Sequence, residues 1–265
     1  MKTILLFVLF MIPNIIFSQV KDHAAYTMNK LSSYEKRKLR YSESREDGKY
    51  FLFQAGLRNH KTTPGENIYF NINGELDGVV SGLYGIRKGN ISLETGFGFI
   101  WHNSTINHFL GNTGEKLETY VNFNSGYLPL GFRYDIPLDE KKSVRFGAHA
   151  SANIIIFSTR KPSQSGIITY YRNSGTENIY IDFQIEEKKF PAFFKVGLHS
   201  EIAIFKSSFL VIQGSYILSP TTYRTISYNW ELNNESGSFR NETKIDGLIF
   251  EIAYKLPLNI FNLEK

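Results

Sequence analysis

From Tyr127 to Ile156 apolar and polar residues alternate twice, on either side of a charged turn. Leu128, Leu130, Phe132, Tyr134, Ile154 and Ile156 share one face, and Arg133, Asp135, Arg145, His149 and Asn153 share the other. Asp139, Glu140, Lys141 and Lys142 separate the two halves. A period of two is the period of a β-strand, so this stretch predicts an antiparallel hairpin. The pattern recurs in eight segments, near 50–58, 78–87, 90–102, 126–136, 143–157, 189–205, 208–218 and 245–256. In the third, Ile91, Leu93, Phe97, Phe99 and Trp101 oppose Ser92, Glu94, Gly96, Gly98 and His102. Strands of about ten residues have the length of a tilted bilayer crossing.

The links between segments alternate in length. Lys88-Gly89, Pro137–Lys142 and Lys206-Ser207 are short, whereas 59–77, 103–125, 158–188 and 219–244 are long. Tight turns on one rim and long loops on the other are the plan of an outer-membrane barrel. The charges agree with that plan. Arg58, Glu94, Arg133, Asp135, Arg145, Lys195, Glu201, Glu251 and Lys255 all fall on the polar faces, where both signs can pair inside a narrow barrel. On a lipid-facing side each Arg or Lys would cost about 2–4 kcal/mol at the bilayer midplane. The expected fold is therefore all-β: an eight-stranded antiparallel transmembrane β-barrel with long extracellular loops. The stretch 166–185 within the third long link is itself strand-like and predicts a hairpin projecting beyond the membrane.

Composition fits this picture. Of 265 residues, 15% are aromatic, a bias that favours strands, and no cysteine is present to form disulfides or thiolate metal sites. The net charge of +5 is dispersed, without the basic stripe that nucleic-acid binding requires. Lys2 followed by the apolar run Ile4–Phe17 reads as a secretory signal peptide cut after Ser18 or Gln19, a retained anchor being the alternative. The expected organisation is a signal peptide over 1–19, a periplasmic N-terminal arm over 20–49, the barrel over 50–258 and a C-terminal tail over 259–265. Export to the outer membrane follows from it.

The strand "YLPLGFRYDIPL", the short charged turn and the glycine-containing "VRFGAHASANIII" resemble the PorT-like outer-membrane β-barrel domain of Gram-negative bacteria. The resemblance spans Lys49 to the C-terminus. It implies eight strands, a signal peptide, and docking to an envelope or secretion component. The chain departs from the pattern in ending "PLNIFNLEK" rather than on an aromatic residue.

Three classes of function compete. His149 and Ser151, two residues apart on one face with Glu201 or His199 as orienting group, resemble the His-x-Ser of outer-membrane lipid A deacylases; a serine nucleophile needs such a base and the base needs an orienter. The adjoining run of that family is missing, and a polar lumen network explains the same residues. His102, His149 and His199 would form a metal site only if three strands bring them to one level. A narrow ion-conducting pore is the second class, opposed by inward Gln54, Tyr127, Arg133, Arg145, Lys195 and Glu251, which fill the interior of an eight-stranded barrel. The third class is a non-enzymatic structural or binding scaffold acting through the loops, such as Thr221–Lys244, rich in Tyr, Asn and Thr. The expected partners are membrane lipid, lipopolysaccharide and an envelope protein, with no nucleic acid and no cofactor.

Overall fold

The computed structural model describes residues 47–60, 70–74, 76–110, 115–159, 163–172, 175–188, 191–204, 208–232 and 235–258. The segments expected as signal peptide and C-terminal tail, most of the expected arm, and the Lys206-Ser207 link lie outside these residues.

Eight strands make the barrel: β1 (Gly48–His60), β3 (Leu76–Lys88), β4 (Ile91–Leu110), β5 (Glu115–Pro137), β6 (Val144–Ser158), β9 (Ala192–Ala203), β10 (Phe209–Leu218) and β13 (Gly247–Pro257). Each pairs antiparallel with the next in this order, and β1 pairs with β13 from Tyr50↔Pro257 to His60↔Gly247, which closes the ring. Closure satisfies every strand edge, the condition for a sheet in hydrocarbon. Each predicted segment has its strand, within a few residues at either end except where β4 and β5 extend by eight and eleven residues into the link expected between them.

The turn rim follows from local chemistry. Gly89 and Asn90 join β3 to β4, and Gly89 has φ +60°, the conformation a two-residue hairpin turn demands. Asp47 Oδ1 accepts a hydrogen bond from Gly89 N at 2.5 Å, tying the entry of β1 to this rim. Between β5 and β6, Val144 N donates to Asp139 Oδ1 at 2.8 Å, and Lys142 takes a left-handed φ of 51°.

The other rim is more ordered than its sequence suggests. β4 and β5 continue as a paired ribbon through Leu110 and Glu115, over residues expected to be a loop, and β2 (Phe70–Gly74) adds to β4. Two other long links form hairpins, β7 (Ser163–Arg172) with β8 (Gly175–Glu187), and β11 (Arg224–Leu232) with β12 (Glu235–Thr243). Pairing of β8 with β11 fuses the hairpins into one four-stranded sheet, β7-β8-β11-β12. The first hairpin is the one that 166–185 predicted. The second falls in the link 219–244, expected as a long loop: Ile226, Tyr228, Trp230 and Leu232 alternate with polar residues along β11, but β12 carries no such alternation to pair with it.

The wall separates two environments. Leu57, Leu130, Phe132, Val196, Leu198, Leu248, Phe250 and Ile252 are exposed on the outside, Phe250 reaching 70%. Arg58, Arg133, Asp135, Arg145, Glu201, Glu251 and Lys255 are buried within. This inversion of a water-soluble core is what a lipid-facing barrel requires, since only every second residue meets lipid. One seam is weaker. The β4–β5 pairing skips Gly96-Phe97 opposite Leu128-Pro129; proline offers no N–H, and Thr95 Oγ1 donates to the Pro129 carbonyl at 3.0 Å instead.

Candidate functional site

Inside the barrel, side chains from alternate strands stack in layers. Next to the turn rim, Glu201 on β9 accepts from Lys255 Nζ at 2.7 Å and Arg87 Nη2 at 2.8 Å, with Arg145 at 3.8 Å. Arg87 also pairs with Asp135, whose other oxygen binds His199 Nε2. Lys255 lies over the Tyr50 ring and Arg145 over Phe209. One layer up, Arg133 Nε donates to Glu94 Oε1 at 3.0 Å and Lys195 Nζ to Glu251 Oε2 at 3.0 Å, while Gln213 bridges Arg133, Gln54 and Glu251. A buried charge is tolerable only when paired and hydrogen-bonded, and every charge named in these layers is paired, although Arg133 Nη1 makes no hydrogen bond among the described residues.

Toward the other rim the filling turns apolar. Val79, Ile100, Phe123, Tyr127, Ile155, Phe193, Ile217 and Ile249 cluster inside the barrel, joined by Tyr223 and Ile245 from the last long link. Tyr223 OH bonds Ser125 Oγ at 2.7 Å, and the Arg224 guanidinium lies 3.4 Å from the centre of the Phe123 ring. His102 stacks on the other side of this aromatic group, 4.3 Å from Phe123, and faces the Arg58–Asp77 pair. Burial raises the Tyr223 phenol above its ordinary value, so it stays a neutral hydrogen-bonding group. The foot of the outer sheet is thus a stopper in the barrel mouth. The lumen cavity between the layers, lined by Gln54, Glu94, Arg133, His149 and Lys195 among others, has a volume of about 20 Å³, room for a water molecule.

The residues singled out for chemistry separate into different contacts. His149 Nε2 bonds Ser215 Oγ at 2.8 Å and its Nδ1 faces His199 Nδ1 at 3.4 Å, so both ring nitrogens are directed away from Ser151. Ser151 Oγ instead accepts from Asn153 Nδ2 at 3.1 Å. Glu201 is held by its three cations, one layer from the pair it was to orient. Ser151 also lines a groove of about 500 Å³ on the outer wall, with Ala150, Ala152, Leu130, Phe132 and Phe194, so the serine is closer to lipid than the alternation of faces suggested. Of the three histidines, His149 and His199 meet, while His102 sits apart in the stopper. Asp135, His199 and Glu201 bring ligand atoms within 4.8 Å of one another, but Arg87 and Lys255 already neutralise that cluster.

Asp77, Arg87, Gln213 and Ser215 are structural members of the lumen that the sequence reading did not single out. Arg87 and Asp77 fall at strand ends, where alternation gives no sign of their inward course. A count of acids against bases points to Asp77 but not to Arg87: five cations on the polar faces face four acids unless Asp77 joins Arg58.

No family model matches the chain, and no curated protein is similar to it. Among solved structures, the outer membrane protein OprG from Pseudomonas aeruginosa aligns with a TM-score of 0.52 and 9% identity, covering 80% of this chain and 97% of that one. The transport unit of the autotransporter AIDA-I from Escherichia coli aligns over 88% of this chain and 96% of its own, at 12% identity and a TM-score of 0.32. The fold implied by the PorT-like resemblance is therefore present, while the family itself is matched by no model. At 9% identity the likeness to OprG establishes architecture alone: this chain has the closed, eight-stranded antiparallel fold of outer-membrane β-barrels.

Proposed function

We propose that this protein is a non-enzymatic outer-membrane barrel that serves as a rigid platform for binding through its outer sheet. The observation that carries the reading is the coupling of β7-β8-β11-β12 to the lumen. Tyr223, Arg224, Ile226 and Ile245 are buried at the foot of that sheet, so its position is fixed by the barrel's own core. Recognition surfaces are commonly loops held by a rigid scaffold. In this orientation the arm and the Asp139–Lys142 turn are periplasmic, the outer sheet faces the exterior, and the exposed apolar belt meets lipid and lipopolysaccharide. An envelope or secretion component docking at the arm is a further expected partner. The filled lumen argues against the pore. His149 and Ser151, each bonded elsewhere, argue against the hydrolase, although the groove beside Ser151 gives that alternative a surface where an acyl chain could lie.

The test is a pair of measurements on cells. An epitope tag at Ser236 should be labelled on intact cells, and one at Lys141 only after the membrane is opened. Replacing 163–187 and 224–243 by short turns should then reproduce the phenotype of deleting the gene, in a barrel that still shows heat-dependent gel mobility. Ser151→Ala should leave that phenotype and lipid A composition unchanged. If Ser151→Ala alone reproduces the deletion, the protein is a hydrolase.

A further inference from the structure

The outer sheet is not closed as the barrel is. Its order places β12 at one end, paired with β11 alone among the described strands. Every second residue of an end strand turns its N–H and C=O away from the sheet. Natural edges are usually blunted by proline, charged side chains, bulges or brevity. β12 has no proline and no bulge: it is nine residues long, "ESGSFRNET", and pairs with β11 from Arg224↔Thr243 to Leu232↔Glu235 without a shift. Its charges Arg240 and Glu242 can exclude some strands while admitting one of complementary charge.

A row of alternating peptide donors and acceptors is complemented, at the same spacing, by another extended polypeptide and by neither a sugar nor an acyl chain. Side chains add a direction to this. Ser236, Ser238, Arg240 and Glu242 are exposed on one face of β12. Arg240 and Glu242 pair with each other at 3.3 Å while 66% and 50% exposed, and Thr222 Oγ1 donates to the other Glu242 oxygen at 3.1 Å, exposed contacts that water already weakens. Across an antiparallel strand, opposite charges attract and like charges repel. A partner strand therefore gains by placing a base opposite Glu242 and an acid opposite Arg240, which in its own direction reads basic-x-acidic.

We infer that β12 is a docking edge for an extended segment of a protein partner, added antiparallel as a fifth strand and selected by a basic-x-acidic spacing. The inference rests on the platform reading above and names the partner's chemistry. Main-chain bonds would supply affinity and the alternating side chains specificity, as in other cases of strand addition.

The probe is a fluorescent peptide, Thr-Val-Lys-Val-Glu-Val-Thr, titrated against the full chain in vesicles. It should bind, and its counterpart with Lys and Glu exchanged should bind about tenfold more weakly, because both cross-strand pairs turn repulsive. N-methylation of alternate peptide nitrogens should abolish binding with the side chains intact. The double variant Arg240→Glu, Glu242→Arg changes only exposed side chains, and it should reverse the preference between the two peptides. Absence of binding to either peptide in a barrel with normal heat-dependent mobility overturns the inference, as does binding indifferent to N-methylation. Saturable self-association that outcompetes the peptide overturns it in favour of a second copy as occupant. If the peptide fails while shortening the outer sheet still reproduces the gene deletion, the platform reading stands and the docking edge does not.

Discussion

Glu201→Gln should destabilise the barrel more than any other isosteric change in the lumen. The carboxylate is fully buried and faces Lys255 Nζ at 2.7 Å, Arg87 Nη2 at 2.8 Å and Arg145 Nη1 at 3.8 Å. The amide has nearly the same shape, so packing is kept, while the charge is lost and one of the two acceptor oxygens becomes an NH2 donor facing a cation. Arg87 retains Asp135, whereas Lys255 and Arg145 are left with the Tyr50 and Phe209 rings. Removing one partner of a buried pair costs about 3–5 kcal/mol through the charge left behind. With two cations stranded and one retained, about 3 kcal/mol is expected, a loss of roughly two orders of magnitude in the folding constant. Urea titration in lipid vesicles, read by heat-dependent gel mobility, measures it. Adding Lys255→Met to Glu201→Gln should recover part of the loss, because one stranded cation is removed. A cost below about 1 kcal/mol, the range of exposed pairs, would show that water reaches this layer and would refute the dry-lumen reasoning.

Ile252→Arg, at a position 61% exposed on β13, should cost about 2–4 kcal/mol on reconstitution into vesicles and little in a water-exposed surface, so an unimpaired variant would displace the lipid belt. Gly98→Ala should lower the unfolding free energy by about 1–3 kcal/mol, read as a lower urea midpoint, because its Cβ would lie 2.2 Å from Tyr127 Cζ in the filled lumen. Lys142→Gly should raise stability by about 0.5–1 kcal/mol, since glycine adopts the left-handed φ of 51° at this turn without the Cβ penalty; a loss would mean that the lysine side chain stabilises the turn.

The barrel was legible because its signal is two-sided. In β4 and β13 nearly every second residue is large and apolar, and among the residues between them are Ser92, Glu94, Gly96, Gly98, Gly247, Glu251 and Lys255, so the period of two stands out from the sequence. The outer sheet was less legible for a physical reason. β12 is almost wholly polar and pairs with β11, which pairs in turn with β8, some forty residues away in sequence, so its strand is specified by partners that local spacing does not reveal. The contribution of Tyr223 and Ile245 to the lumen was hidden likewise, because a stopper formed by a link breaks the assumption that only strands fill a barrel. The lumen charges were placed on the correct side from alternation, but their partners were not. His149 and Ser151 share a face as expected, yet strand register sends the imidazole to Ser215 on β10, and register across three strands cannot be read from one strand's spacing.

The layer beside the turn rim draws Arg87 from β3, Asp135 from β5, Glu201 from β9 and Lys255 from β13. No two of these strands are neighbours in the barrel. Until the sheet curls, these four strands are kept apart by the ones between them, so Glu201 has only Arg145 on neighbouring β6 beside it, and in a bilayer the concave face would be an open charged cleft. Assembly is thus biased toward all-or-none closure at the β1–β13 seam, with the ion pairs forming as the last strand arrives. The lumen then acts less as a passage than as a latch, rewarding the completed ring and penalising every intermediate of it.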